Sequence, residues 1–275
     1  MKLNDFPQAL RVWPFSIGRF ATALAILFYA LAAATQATNG LPDAETQGRQ
    51  LARTLCNSAP TENLTNNGVL DIRPRDGEIS RIPITFESRV TATNWSDIYE
   101  ATRANTTETL LVVHAANQSN VYFDDTNNLN QAPFLNGIPI LGHLFRSPKR
   151  LSNAEIMVPF AGSDFWIADL GLEFFHWPGQ KIVKREFMRG RACTVLESAN
   201  PNPSANGYSR VDSWIDEETL GIVHAQAYDA NGKLLKVFDP KSFKKVNGQW
   251  ELQDMEIRNV QTGSRTRIEF DLKPD

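Results

Sequence analysis

Arg265-Thr-Arg-Ile268-Glu-Phe270-Asp-Leu272 alternates polar and apolar side chains without a break. Successive side chains of a strand point to opposite faces, so Ile268, Phe270 and Leu272 share one buried face. Back from this run, apolar-rich stretches are separated by turn signals at Thr262-Gly263, Asn247-Gly248, Asn231-Gly232, Leu220-Gly221, Asn206-Gly207, Arg189-Gly190 and Pro178-Gly179. Asn231-Gly232 and Asn247-Gly248 are strong hairpin turns, because both residues tolerate positive φ. Intervals of about 10 to 15 residues between turns predict an antiparallel meander, not βαβ units. A sheet of this size curls or closes to protect its edges and bury one face. The fold class is therefore α+β and mostly β.

The N-terminal half adds to the same sheet. In Ile82-Pro-Ile84-Thr-Phe86-Glu-Ser-Arg-Val90 the apolar residues again share a face, with Thr85, Glu87 and Arg89 opposite. Pro83 removes a backbone donor, which predicts an edge position or a strand start. Leu110 to His114 and Ser119 to Phe123 predict a hairpin around Asn117-Gln118. One helix precedes them, over Pro42 to Cys56, with Leu51, Ala52 and Leu55 on one face and Asp43 and Glu45 in its first turn. Ser58 to Gly68 reads as a polar linker.

Between the strand sets lies an apolar insert, Ala132 to Trp177. Phe134, Leu135, Ile138 and Ile140, then Leu141, Leu144 and Phe145, are interrupted by Gly and Pro, so they form neither a regular strand nor a long helix. Ser152-Asn-Ala-Glu155 is a capping box predicting a short helix, which Pro159 limits to about a turn and a half. Phe160, Phe165, Trp166, Phe174, Phe175 and Trp177 then place six aromatics in 18 residues. Such a segment cannot sit in water and must plug the concave side of the sheet. Two readings stand: these side chains, with Met157 and Leu170, fill the core, or they form one wall of a groove for a lipid chain, with the Gly and Pro breaks letting the insert move as a lid.

Residues 1–37 have the order of a secretory leader: basic Lys2, Arg11 and Arg19, an uncharged run from Ala21 to Ala34, and small residues that permit cleavage after Ala34 or Ala37. The run is short against the roughly 20 residues of a transmembrane helix. This predicts export to the periplasm and a mature domain over 38–275. The chain carries a net charge of −3, which becomes −5 without the leader. That mild acidity, with no basic block, argues against nucleic acid as a partner. Cys56 and Cys193 are an even pair in an oxidising compartment, able to form one disulfide or to stay as buried thiols.

Catalytic signatures are lacking: there is no Gly-x-Ser-x-Gly elbow, phosphate loop or dinucleotide fingerprint. Ser163-Asp164 fits a helix N-cap better than a serine nucleophile. His114, His143, His176 and His224 have no metal spacing, and Asp124-Asp125-Thr-Asn127-Asn128 lacks the central Gly and bidentate Glu of a calcium loop. No metal or cofactor is expected.

Phe160-Ala-Gly-Ser-Asp-Phe-Trp-Ile-Ala-Asp-Leu-Gly-Leu-Glu-Phe-Phe-His-Trp177 resembles the helical segment of bacterial outer-membrane lipoprotein-sorting proteins, relatives of the periplasmic lipoprotein carrier and its outer-membrane acceptor. Tyr208-Ser-Arg-Val-Asp-Ser-Trp-Ile-Asp216, Tyr228-Asp-Ala-Asn-Gly-Lys-Leu-Leu-Lys236, Met255-Glu-Ile-Arg-Asn259 and Thr266-Arg-Ile-Glu-Phe270 are similar too. The resemblance implies a strongly curved, unclosed antiparallel sheet with short helices on its concave face. It also implies a cavity for acyl chains and a monomeric, non-enzymatic carrier of lipids or lipoproteins, with an inner-membrane transporter as one partner to test. No particular Arg aligns with the basic lid residue of the dedicated carrier. The alternatives are a periplasmic hydrolase acting on an envelope component and an accessory partner of an envelope lipid transporter.

Overall fold

The computed structural model describes residues 43–104, 106–125, 148–246 and 249–272. The predicted leader, His143 and the Phe134–Phe145 half of the insert lie outside them. Thirteen antiparallel strands form one sheet. The N-terminal strands are β1 (Leu64–Arg73), β2 (Ser80–Val90), β3 (Asn94–Arg103), β4 (Thr106–Ala115), β5 (Val121–Asp125) and β6 (Pro148–Arg150). The C-terminal strands are β7 (Gly179–Met188), β8 (Arg191–Ala199), β9 (Tyr208–Asp216), β10 (Ile222–Asp229), β11 (Leu234–Val246), β12 (Gln249–Asn259) and β13 (Arg265–Phe270). The order β6-β5-β4-β3-β2-β1-β13-β12-β11-β10-β9-β8-β7 makes two meanders, joined where β1 pairs with β13. The ends do not meet, so the sheet is not a closed barrel.

The predicted alternation holds in β13, where Ile268, Phe270 and Leu272 are buried against the core. Gly190, Gly232 and Gly263 take positive φ at their turns, but Asn231 does not, so the Asn231-Gly232 turn uses the left-handed region at its glycine alone. Asn117 turns the β4–β5 hairpin at φ 58°, while Asn247-Gly248 falls outside the described residues.

Other expectations are corrected. The linker ends early, because Leu64–Gly68 already pairs with β2 and Gly68 with Phe270 of β13. Pro83 is neither on an edge strand nor at a strand start. It sits inside β2, opposite Val69 of β1, just beyond the last pair with β3 at Ile84–Ala101. Its missing donor therefore costs the β3 ladder nothing. Ser152 and Glu155 do bond reciprocally, with Ser152 N to Glu155 Oε2 at 2.9 Å, but they close hydrogen-bonded turns and not a helix.

Helix α1 (Ala44–Cys56) starts two residues later than expected, with Asp43 as its N-cap accepting from Thr46 N at 2.6 Å. Its buried Gly48 lies on the backbone of β7. A Cβ there would stand 2.6 Å from Lys181 Cα, so only glycine permits the approach. The helix thereby covers part of an edge strand, while the other edge, β6, is only three residues long. Both are ordinary protections against edge-to-edge pairing.

The insert continues through α2 (Ile167–Leu170) and a 3₁₀ turn, Glu173–His176. It shows how strongly the sheet bends. Tyr99 of β3 donates to Leu170 O at 3.2 Å, and Tyr208 of β9 donates to the adjacent Asp169 at 2.9 Å. Those strands are seven places apart in the sheet order. In a flat sheet the gap would be about 34 Å at ~4.8 Å per strand. Two neighbouring residues can touch both only if the sheet wraps around them.

Candidate functional site

The concave face is filled unevenly. Toward β2 and β3 the filling is solid: Phe160, 1% exposed, meets Tyr99 edge-on with ring centroids 6.4 Å apart, and Tyr99 lies 5.0 Å from Phe86. Phe165, Leu170 and Phe175 are buried in the same cluster, with Met157 and Trp177 at its margin. Polar bonds fasten this part. Ala161 N donates to Glu108 at 3.0 Å, and Asp164 accepts from Thr266 Oγ1 at 2.9 Å. Ser163 is not a helix cap: its hydroxyl bonds Phe165 N and O within the loop, and the helix starts only after Trp166.

Toward β10–β12 the filling stops short. A narrow groove, with a cavity volume of about 30 Å³, separates the insert from these strands. Leu172 and Phe174 form the insert wall; Ile222, Ala225, Phe238, Pro240, Phe243, Leu252 and Met255 form the sheet wall. The one charged lining residue is Asp169. Of the sequence-predicted site residues that are described, Phe174 alone lines this groove; Met157, Phe160, Phe165, Leu170, Phe175 and Trp177 belong to the packed core, and Trp166 packs partly buried against it. The strand residues that make the opposite wall were not singled out in the sequence, because register alone does not say which strands face the insert once the sheet curves.

Asp169 leads to the most unusual group of the molecule. Lys236 of β11 is fully buried, with Nζ 3.2 Å from Asp169 Oδ2 and 3.8 Å from the centre of the Trp166 ring. The Trp166 ring stacks on Tyr208 at 4.5 Å, and Asp169 also accepts from Trp166 N at 2.8 Å. Burial pulls Lys236 down to about 8 and pushes Asp169 up against the attraction of the lysine. A buried pair with these extra bonds holds α2 to the sheet, since removing either partner would strand a charge in apolar surroundings. The sequence did mark it faintly, as a lysine inside the apolar run Leu234-Leu235-Lys-Val-Phe238.

Among the described residues, His114, His176 and His224 stand in three separate places. His114 Nε2 lies 3.2 Å from Asp97 Oδ2, its Nδ1 meets Asn120 Oδ1 at 2.8 Å, and Ser88 is the cross-strand partner of Asp97. Ser88 Oγ has no hydrogen-bond partner there, and Ser88, His114 and Asp97 are 0%, 5% and 2% exposed. His224 pairs with Asp239 at 2.7 Å beside Trp214, and His176 is half-buried in the 3₁₀ turn. No His, Cys, Asp and Glu cluster fit for a metal exists among the described residues. The disulfide left open by the sequence is not formed: Cys56 and Cys193 are free thiols. Cys56 packs against the main core and Cys193 joins Val195, Trp214 and Val223 on the outer face, so the sheet lies between them.

No helix of the described residues is long and apolar enough to cross a membrane. A family model described only as an uncharacterised protein matches residues 144–272, and no curated protein matches the chain. Solved structures do. A DUF1329 family protein from Desulfovibrio piger superposes with a TM-score of 0.62 at 19% identity, covering 85% of this chain and 94% of its own. A domain described as an outer-membrane lipoprotein-sorting protein from Vibrio parahaemolyticus gives 0.61 at 20% identity, covering 82% and 90%. A LolA superfamily protein from Nitrosomonas europaea gives 0.56 at 14% identity, covering 83% and 93%. The resemblance read from the sequence thus extends to three dimensions, and the fold of this chain is the LolA-like fold of the lipoprotein-sorting structures.

Proposed function

We propose that this chain is a periplasmic, non-enzymatic carrier that holds an acyl chain of a lipid or lipoprotein in the groove between its insert and β10–β12. The observation that supports this reading is the contrast in lining: nine apolar residues and one acid that is already neutralised by Lys236. Such a wall offers burial and little else. Each methylene entering it would contribute about 0.8 kcal/mol, enough for a chain to be held and still released. Among the described residues Asp169 is the one ionisable group of the lining, and the proposed carriage needs no covalent step. The insert is the natural lid, because Leu172 and Phe174 belong to it. Phe134 to Phe145 of the insert, which lie outside the described residues, are proposed as further contacts of the acyl chain.

A fluorescent fatty acid titrated into the purified mature protein tests the reading. Saturable binding, displaced by unlabelled phospholipid or acylated peptide and weakened about tenfold by Phe238→Glu, supports it. Absence of uptake, or binding indifferent to a charge placed in the groove, overturns it.

A further inference from the structure

Three buried acids lie among the described residues of the insert, and they are treated differently: Asp164 is held by the hydroxyls of Ser264 and Thr266. Asp169 has a lysine. Glu173, 8% exposed, is paired with no Lys or Arg among the described residues; its carboxyl accepts from Tyr122 Oη of β5 at 2.9 Å. Beside it Asn120 Nδ2 holds Gly171 O at 2.7 Å, and Asn120 continues through His114 to Asp97. Glu173 also stands in the chain between Leu172 and Phe174, the two apolar insert residues of the groove wall. Leu172 is strained, with φ 50° and ψ 40°, a left-handed conformation that a branched residue adopts only when its surroundings impose it.

We propose that Glu173 is a proton-operated clamp on the groove wall: neutral, it holds the strained turn against β5; ionised, it lets the turn swing out and the groove widen. The proposal rests on the groove being the functional site. The groups facing Glu173 make it specific. From α1 comes Cys56, whose thiol is pushed up to about 12 by burial and by the charge of Glu173. From β5 comes Tyr122, also raised by burial. From β4 comes His114, with Asp97 of β3 behind it. His176 of the same turn is pulled down to about 4 by burial. Gln180 of β7 is spent on Phe174 O and Trp177 O, and Asp169 of α2 is committed to Lys236. The Tyr122 bond and the charge of His114 favour the carboxylate, and burial without a Lys or Arg partner among the described residues outweighs both.

Burial lifts the Glu173 carboxyl from its ordinary 4.5 to about 7. The closed turn thus keeps a proton that an opened, solvated turn gives up between those values. Closure is fully favoured below about 4.5 and its advantage is lost as pH rises through 7. The ceiling on the effect is on the order of 10²-fold in the opening equilibrium.

Hydrogen–deuterium exchange of Leu172–Trp177 from pH 5 to 7, corrected for intrinsic rates, reads this without any ligand and ends about one pH unit below the value near 8 at which Lys236 is half deprotonated. Wild type is expected to lose protection at least tenfold across the range, and Glu173→Gln to stay protected and flat. Tyr122→Phe is expected to open at both ends. A flat wild-type profile, or a Glu173→Gln profile as steep as wild type, overturns the clamp; if Glu173→Gln does not fold, the wild-type slope and Tyr122→Phe decide. Fatty-acid uptake separates the two claims. Uptake with pH-flat protection removes the clamp and keeps the groove; pH-dependent protection without uptake at any pH keeps the clamp and removes the carrier reading.

Discussion

Toward β2 and β3, Phe160 and Leu170 are locked among Phe86, Tyr99 and Phe270, each at most 6% exposed. Toward β10–β12, the same insert presents Leu172 and Phe174 to strands that stand away from it, and Leu172, Phe243 and Leu252 are only half-buried. One sheet face is thus a core on one wing and a groove on the other. The comparison teaches that aromatic content does not mark a binding wall. The most aromatic part of the insert fills volume, and the groove lies where Ile222, Phe243 and Leu252 of three strands stay half-buried beside the core members Ala225, Phe238 and Met255. Polar bonds keep this arrangement in place, with the Lys236–Asp169 pair on the open wing and the Tyr99, Tyr122 and Asn120 bonds on the solid one.

If that division is right, substitutions on the solid wing should cost the most stability. Phe160→Ala should destabilise by about 4 kcal/mol in denaturant unfolding, since its surroundings cannot collapse. Lys236→Ala comes next, at about 3 kcal/mol, because it strands a buried carboxylate. The Lys236→Met/Asp169→Asn double variant should recover most of that loss, and a double as weak as the single would deny that the pair is a unit. Gly48→Ala should cost about 1 to 3 kcal/mol by pushing α1 off β7, seen as faster amide exchange in Gln180–Ile182. Smallest of all, Leu252→Ala on the groove wall should cost less than about 1.5 kcal/mol, yet change fatty-acid affinity more than Phe160→Ala does in the folded fraction. Equal costs for Phe160→Ala and Leu252→Ala would erase the distinction between the wings.

Much of the sheet could be read from the chain, because β13 alternates cleanly and glycine turns punctuate the C-terminal half. Strands β1 and β3 escaped notice for a physical reason. Their polar residues, such as Asn66, Asn67, Ser96 and Asp97, suggest loops, and they are placed in inner strands only because neighbours on both sides complete the backbone ladder. That the insert plugs a concavity follows from its composition. Where it leaves space does not, since that depends on how far the sheet curls and which strands it brings opposite Leu172 and Phe174. Lys236 is similarly hidden: a strand lysine ordinarily points to water, and its burial requires an acid from the insert, 67 residues away in the chain.

The central claim is that the open wing carries an acyl chain. Native mass spectrometry of the mature protein, purified without detergent from membrane-containing cells and followed by solvent extraction, tests it most directly. The account predicts one acyl-chain ligand per protein, lost in Phe238→Glu and retained in Gly48→Ala. A clean ligand-free mass that stays unchanged after incubation with phospholipid or acylated peptide would contradict it.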